Sequence, residues 1–318
     1  MACAEASATV DGHGITSNAP PQPALQLADE RTEVLRVAGL RLLCRHWGEA
    51  SAPAVVLLHG LRGFSGTWRT LAATLSRKYH LIALDQRGRG ESDWDPGQNY
   101  YTDAYVADLE SVVEQLGLTR FALLGHSMGG TTAYVYADRH PERLAALVIE
   151  DIAPGSSTRG RGAQRIVSEM SALPASFRSW AEARAYWRAK RPGMSDDALE
   201  LRITDTLRED RDGAIVWRYD ARGISQTRLR PDPSRIVDLW PVVARIAVPT
   251  LIIRGEHSDF CPAETVEEMR KCNPRITSLS VPGASHYVHD DAPGLFAEHV
   301  LRFLSRCGWK SATEANSL

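Results

Sequence analysis

The chain has 318 residues, of which 43% are hydrophobic and 24% charged, enough for one large globular domain or a domain plus a cap. The formal net charge of -2 gives no sign of the basic balance that is typical of nucleic-acid-binding proteins. No apolar run approaches the roughly 18 residues that a membrane helix needs. We therefore expect neither nucleic acid nor a membrane as a partner.

The first 30 residues are rich in Ala, Ser and Pro, and they lack the basic start and apolar core of a signal peptide. This composition predicts a disordered arm at residues 1–30. The five cysteines are odd in number and scattered, without a CxxC pair. Such cysteines are typical of reduced thiols, so the sequence predicts a cytoplasmic protein.

Short apolar runs and amphipathic helices alternate after the arm. Residues 32–48 read as two strands around Ala38 and Gly39, and a helical pattern covers residues 102–117. Four continuous apolar runs occur at 54–60, 80–85, 121–127 and 145–151. Apolar strands that alternate with helices predict an α/β fold with a mostly parallel sheet and helices on both faces.

The alternation stops after the sixth strand. Residues 155–240 are Arg-rich and helical in pattern, and strand-like runs return at 249–255 and 276–283 before a final helix from Pro293 to about Arg306. This order predicts a core formed by residues 31–154 and 241–308, with a helical cap at 155–240. In open α/β sheets, ligands bind at the carboxyl ends of the strands, where this cap is inserted.

A nucleophile motif follows the fifth strand. The sequence Gly-His-Ser-Met-Gly at 125–129 lies between an apolar strand and an amphipathic helix, which is the context that the G-x-S-x-G elbow requires. A sharp turn there would expose the hydroxyl of Ser127. The bare pattern also arises by chance in Gly-rich turns, so the flanking strand and helix carry the prediction.

A general base and an oxyanion hole are predicted from two further loops. His286 follows the last strand, and its position after Ser127 fits the Ser…Asp…His order. His289 is the nearby competitor, but two aspartates follow it and indicate a solvated or structural residue. We expect the backbone N–H groups of Leu61 and Met128 to bind the oxyanion, with His59 in a structural role.

Two aspartates compete to orient His286. Asp259 follows the strand at 249–255, one residue beyond the usual offset from Gly255, where Ser258 stands instead. Asp151 ends the sixth strand, beside the strand of Ser127, and could equally serve as a turn cap before Pro154. The residues alone do not decide which of these two aspartates orients His286.

Four segments together resemble the α/β-hydrolase superfamily: HGLRG, LDQRGRGES, GHSMGG and PGASHYVHDDAP. The DIAP segment at 151–154 is similar to that of small bacterial esterases that take their acid from strand six. Together with the RGEHS segment at 254–258 and the His-Tyr pair at 286–287, this segment also resembles (acetylaminomethylene)succinate hydrolase. The resemblance implies a Ser127–His286–Asp151 triad, with Ser258 as an auxiliary member bonded to the Asp–His pair.

The cap carries 16 Lys and Arg against 12 Asp and Glu, a positive balance that would favour an anionic substrate. Solvated helices rich in arginine would give the same count. The residues that we expect to contact substrate are Arg62, Trp187, Arg191 and Tyr287, although Trp187 would fit the core of the cap equally well.

These residues predict a serine hydrolase that cleaves a small carboxylic ester through an acyl-enzyme intermediate, with no cofactor and no metal. An amide or C–C bond hydrolase, a lactonase or a cofactor-free perhydrolase would use the same triad. From another class, a ligand receptor with a vestigial hydrolase pocket would keep the same residues without turnover.

Overall fold

The computed structural model describes residues 17–21, 29–156 and 158–309. Within these ranges a central eight-stranded sheet is flanked by helices, and a smaller three-stranded sheet lies in the middle of the sequence. Most of the arm predicted at residues 1–30 lies outside the described residues. No helix in the described ranges is long and apolar enough to cross a lipid bilayer.

The described parts of the predicted arm are held by hydrogen bonds. The buried carboxylate of Glu30 accepts from Trp47 Nε1 at 3.1 Å and from Arg69 Nε at 3.2 Å. Further upstream, the Ser17 carbonyl accepts from Arg184 Nη1 at 2.7 Å. These contacts hold Ser17 and Glu30 against the folded chain, and a disordered arm over the remainder of residues 1–30 stays a prediction.

The first half of the core alternates strands with helices. The first two strands form a hairpin through Ala38 and Gly39, whose φ angles of 50° and 84° suit a two-residue turn. Single 3₁₀ turns occur at Ser65–Trp68 and Pro141–Arg143. The elements are β1 (Arg31–Val37), β2 (Leu40–Trp47), β3 (Ala54–Leu58), α1 (Arg69–Leu75), β4 (His80–Leu84), α2 (Thr102–Gln115), β5 (Phe121–His126), α3 (Met128–Arg139) and β6 (Leu144–Glu150).

The segment 155–240, which the sequence predicts as the cap, contains helices and short strands. Its elements are α4 (Gly160–Ser171), β7 (Ser176–Phe177), α5 (Trp180–Lys190), α6 (Asp196–Thr206), β8 (Leu207–Glu209), β9 (Ile215–Trp217), α7 (Ala221–Leu229) and a 3₁₀ turn at Pro233–Arg235. The three strands pair in the order β7-β9-β8. The segment is thus mostly helical, and it also contains strands of two or three residues, which are too short to show a periodic pattern in the sequence.

The chain then returns to the core. The remaining elements are α8 (Leu239–Arg245), β10 (Thr250–Gly255), α9 (Ala263–Cys272), β11 (Ile276–Val281), α10 (Val288–Asp291) and α11 (Pro293–Cys307). Both strands and the last helix lie within two residues of the segments that the sequence predicts. Side chains at alternate strand positions pack on opposite faces, as Val56 does with α2 and α3 and Val55 with α1 and α11.

The strand order of the large sheet is β1-β2-β4-β3-β5-β6-β10-β11. Strand β2 pairs antiparallel with β1 and β4, and every other neighbouring pair in this sheet is parallel. This confirms the predicted mostly parallel sheet. Strand β6 lies between β5 and β10, so the ends of the strands that carry Ser127 and Asp151 are adjacent.

Candidate active site

Ser127 occupies a strained turn between β5 and α3. Its backbone has φ 52° and ψ −116°, a left-handed conformation that non-glycine residues rarely adopt. Glycines on both sides permit this turn: a Cβ at Gly125 would lie 2.3 Å from the Gly129 carbonyl oxygen, and one at Gly129 would lie 2.4 Å from that of Leu58. The motif residues therefore bring strand and helix into contact around the serine.

His286 connects Ser127 to Asp151. Its Nε2 lies 3.0 Å from Ser127 Oγ, and its Nδ1 lies 2.7 Å from Asp151 Oδ2. All three residues are buried. With Nδ1 protonated and donating to the carboxylate, Nε2 is left to accept the serine proton, which is the arrangement that a general base requires.

Asp151 is oriented by partners on β10 and the loop after it. Gly255 N donates to Asp151 Oδ1 at 2.8 Å, and the Ser258 hydroxyl donates to Oδ2. The same hydroxyl accepts from Phe260 N at 3.0 Å and Cys261 N at 2.9 Å. Because these two N–H groups occupy its lone pairs, the proton of Ser258 is directed to the carboxylate.

Asp259, the competing acid, is engaged elsewhere. Arg165 donates to its carboxylate through Nε at 2.7 Å and Nη2 at 3.0 Å, a bidentate pair. Burial opposes ionisation, but the hydrogen bond and charge of Arg165 outweigh it and lower the pKa of Asp259. Its oxygens are thus hydrogen-bonded to the α4 arginine and not to His286.

The two predicted oxyanion residues lie beside Ser127. Leu61 and Met128 line the same cavity as the serine, and the Met128 N–H belongs to the first turn of α3, where backbone donors have no intrahelical acceptor. The fully buried Arg89 contacts both residues: its Nε donates to the Leu61 carbonyl at 3.1 Å, and its Nη2 lies 3.2 Å from Met128 Sδ. Nothing in the sequence analysis pointed to Arg89, although it belongs to the quoted LDQRGRGES segment.

His59 has the backbone contacts expected of a structural histidine. Its Nε2 accepts from Gln86 N at 3.1 Å, and its Nδ1 lies 2.8 Å from the Gly60 carbonyl. Burial lowers the pKa of His59 to about 3, so the ring is neutral at physiological pH. It shapes the loop that carries Leu61.

Three buried side chains lie behind the triad: His126, Glu150 and His289. His126 Nε2 donates to the carbonyl of His286 at 3.0 Å, and His289 Nδ1 lies 2.7 Å from Glu150 Oε1. Burial opposes charge on His289, but the Glu150 carboxylate outweighs it and raises the pKa of this histidine. The solvated alternative for His289 was therefore wrong.

The same three side chains each present a potential ligand atom within 4.8 Å of the others. A metal ion there would have to replace the hydrogen bond between Glu150 and His289. Both glutamate oxygens already face the His289 ring, and the backbone N–H of His289 donates to Oε1 at 2.9 Å. These contacts account for the cluster as a support for the loop that carries His286.

A cavity of about 510 Å³ opens above the triad, a volume suited to a small-molecule ligand. The core contributes the triad serine and histidine to its wall, and the cap contributes residues of α4, α6 and α7. Much of the lining is apolar, including Leu61, Met128, Ile152, Ile166, Val167, Val237 and Phe260. The ring of Phe260 lies 4.3 Å from that of His286, a contact that sequence reasoning missed.

Two of the four predicted substrate contacts line this cavity, namely Arg62 and Tyr287. The other two do not. Trp187 is buried in the apolar cluster of the cap, 6.0 Å from the ring of Trp217, and Arg191 donates to Asp291 and lies over the ring of Tyr287. The structure thus places Trp187 in packing contacts and Arg191, the residue after α5, in an ion pair, and a role of either in substrate binding stays a prediction.

The chain is similar to known proteins over most of its length. A family model described as alpha/beta hydrolase fold matches residues 53–293. A Bacillus subtilis (strain 168) protein, provisionally named 2-succinyl-6-hydroxy-2,4-cyclohexadiene-1-carboxylate synthase, is 34% identical over 84% of this chain and 96% of its own length.

Two further similarities concern another enzyme. The 2-(acetamidomethylene)succinate hydrolase of Mesorhizobium japonicum is 27% identical over 80% of this chain and 89% of its own length. A crystal structure of E-2-(acetamidomethylene)succinate hydrolase superposes with a TM-score of 0.77 and 25% identity, covering 87% of this chain and 99% of that one.

Proposed function

Because this chain belongs to the α/β-hydrolase family, we propose that it is a serine hydrolase that cleaves a small carboxylic ester through an acyl-enzyme intermediate. The observation that carries the proposal is the continuous hydrogen-bond chain from Ser127 through His286 to Asp151, with distances of 3.0 and 2.7 Å. A buried serine joined to an imidazole and a carboxylate in this way is the arrangement that activates a hydroxyl nucleophile.

In the acylation half-reaction, Ser127 Oγ attacks the ester carbonyl carbon while His286 Nε2 takes its proton. The negative charge that develops on the carbonyl oxygen is bound by the Leu61 and Met128 N–H groups. Asp151 stabilises the imidazolium. His286 then returns the proton to the alkoxide oxygen as the C–O bond breaks, and the alcohol leaves with the acyl group on Ser127.

In the deacylation half-reaction, a water molecule gives its proton to His286 and attacks the acyl carbon. The bond to Ser127 Oγ breaks, and the serine recovers its proton from the imidazolium. The carboxylic acid leaves and the starting state is restored. Every proton passes through His286, so the cycle requires neither a cofactor nor a metal.

A related reaction, amide hydrolysis, is the second candidate. It is supported by the similarity to a hydrolase named for an acetamidomethylene compound. His286 would protonate a leaving nitrogen instead of an oxygen. A matched ester and amide with the same acyl group distinguish the two, since the preferred substrate has the higher kcat/KM.

The test is labelling and turnover with a Ser127→Ala variant. The wild type should react with a fluorophosphonate probe and hydrolyse p-nitrophenyl acetate, and the variant should lose about 10³-fold or more in kcat. Ser171→Ala, an exposed serine on α4, is the matched control. Equal labelling of Ser127→Ala and Ser171→Ala would overturn Ser127 as the nucleophile. A wild type that hydrolyses no ester would favour the ligand receptor with a vestigial hydrolase pocket.

We also propose a cytoplasmic location. The four cysteines in the described part of the chain, Cys44, Cys261, Cys272 and Cys307, form no disulfide with one another. Free thiols are usual in reducing compartments. Fractionation of the native host with an antibody against the chain would test this, and recovery in an oxidising compartment would contradict it.

A further inference from the structure

Four arginines line the cavity above the triad: Arg62, Arg202, Arg228 and Arg235. Three of them are neutralised by a carboxylate. Arg62 is paired with Glu169, Arg202 with Asp290, and Arg235 with Asp103. These three cations therefore add little net charge to the cavity.

Arg228, near the end of α7, differs from the other three. Within the described ranges, no carboxylate oxygen lies within ion-pair distance of its guanidinium, and the side chain makes no hydrogen bond. Burial and the repulsion of nearby Arg89 lower its pKa, and the neighbouring Tyr105 and Tyr101 oppose that shift. Arg228 is only partly buried, and its side chain lines the cavity. A cation there that has no carboxylate partner among the described residues attracts an anion that enters the cavity.

Arg89 adds a second positive charge to this side of the cavity. Its side chain is fully buried, and its partners in the described structure are the carbonyls of Leu61 and Arg87, the Tyr105 hydroxyl and Met128 Sδ. None of these groups carries a negative charge at neutral pH. The region between Ser127 and α7 thus has two cations that no carboxylate of the described chain neutralises.

We propose that Arg228 binds a carboxylate of the substrate, so that the preferred ester carries an acidic group at a distance from the scissile bond. This inference rests on the proposed function and names the substrate class for the same site. A carboxylate matches one guanidinium in charge and geometry, since the planar fork donates two parallel hydrogen bonds. The sequence predicts Arg62 and Arg191 as substrate contacts, but each is paired with an acidic residue of the chain. Arg228 is therefore the stronger candidate for binding a substrate carboxylate.

The names of two relatives agree with this chemistry. One is named for a cyclohexadiene-1-carboxylate and the other for a substituted succinate. The contacts of Arg228 point to an anion without these names, because no carboxylate in the described part of the chain neutralises this arginine, and it lines the cavity that contains the nucleophile.

The test compares esters that differ only in one charge. Monomethyl adipate and its neutral carbamoyl counterpart place the group on the acyl side, and 4-acetoxybenzoate and 4-acetoxybenzamide place it on the alcohol side. The wild type should prefer the charged member of at least one pair. Arg228→Gln should lower kcat/KM for that member roughly 10- to 100-fold, the range expected for a charged hydrogen bond, and leave the neutral ester within about threefold.

Two further variants complete the comparison. Arg228→Lys, which keeps the charge, should restore part of the preference. Arg222→Gln removes an exposed arginine from the same helix and should leave the preference unchanged. An equal preference in wild type and Arg228→Gln, with ester hydrolysis intact, would overturn the inference but not the proposed function.

Binding provides a readout that does not depend on turnover. In a Ser127→Ala background, 4-acetoxybenzoate should raise the melting temperature, and adding Arg228→Gln should abolish the rise. No stabilisation in the single variant by either charged ester would contradict the inference even if no ester is hydrolysed. Stronger stabilisation by 4-acetoxyphenyl phosphate would overturn the assignment of a carboxylate in favour of a phosphate.

Discussion

The carboxylate of Asp151, at the end of β6, lies 2.7 Å from Nδ1 of His286 and accepts two further hydrogen bonds from β10 and the loop that follows it. The loop after β10 therefore supplies the residue that orients the acid, Ser258, while the acid itself comes from the neighbouring strand. Asp259, one residue further, is turned toward Arg165.

The first prediction ranks the two aspartates. Asp151→Asn should lower kcat for p-nitrophenyl acetate by about 10⁴-fold, because an amide cannot hold the same imidazole tautomer. Asp259→Asn should stay within about fivefold of wild type, since its loss disturbs only a partly exposed ion pair. Melting curves of both variants check that they remain folded, and the reverse order of activities would return the acid to the loop after β10.

The second prediction concerns Ser258. Removing its hydroxyl leaves Asp151 with one hydrogen bond fewer and two buried N–H groups without their acceptor. Ser258→Ala should lower the free energy of unfolding by about 1–3 kcal/mol and reduce kcat mildly with little change in KM. Urea unfolding and steady-state kinetics measure the two effects. A variant as inactive as Asp151→Asn would show that the serine does more than position the acid.

The third prediction tests Arg89 as a positioning residue for the oxyanion hole. Lysine keeps the charge but cannot reach the Leu61 carbonyl and the Tyr105 hydroxyl together. Arg89→Lys should lower kcat for a neutral ester about tenfold, with KM nearly unchanged, because the Leu61 and Met128 N–H groups lose their alignment. Tyr105→Phe, which removes only one of these bonds, should have a smaller effect. A change confined to KM would place Arg89 in ground-state binding instead.

The fourth prediction concerns acid stability. His46 Nδ1 lies 3.1 Å from His80 Nε2 between β2 and β4, and burial, with repulsion from nearby positive charge, lowers the pKa of each to about 4. The unfolded chain has pKa values near 6.5 for both and so takes up protons first as the pH falls. The contribution of this pair to the free energy of unfolding should be complete above about pH 6.5 and should decline toward pH 4. The decline is at most about 1.4 kcal/mol per pH unit for each histidine.

Urea unfolding at a series of pH values measures that decline. A His46→Gln variant loses one of the two titrations, so its free energy of unfolding should depend less steeply on pH across the same window. Identical slopes in the two proteins would mean that the pair does not titrate differently in the folded and unfolded states.

The fifth prediction is metal independence. Glu150 and His289 are already hydrogen-bonded to each other, and the proposed proton transfers use only the triad. Dialysis against EDTA should leave ester hydrolysis unchanged, and elemental analysis of the purified protein should show far less than one equivalent of transition metal. Activity that falls on dialysis and returns with zinc would instead assign a metal to His126, Glu150 and His289.

The sequence by itself determined the sheet, the elbow and the position of the base in the chain order. Strands such as Ala54–Leu58 are apolar at every residue because both faces are covered, and that pattern can be read without coordinates. The glycines around Ser127 are equally local, since the turn needs them within two residues of the serine. The sequence analysis also placed the strand of Asp151 beside the strand of Ser127, and the observed order β5-β6-β10 agrees with this.

Only the tertiary structure decided which charged side chains meet. Asp151 and Asp259 stand at plausible positions in the sequence, but the partner of each, His286 or Arg165, is set by the paths of loops more than 90 residues apart along the chain. The same holds for the arginines. The cap contains sixteen basic residues, but composition could not show that Arg228, unlike the other three arginines of the cavity wall, is paired with no carboxylate of the described residues. Ion pairing depends on the packing of distant elements, and no local period or spacing records it.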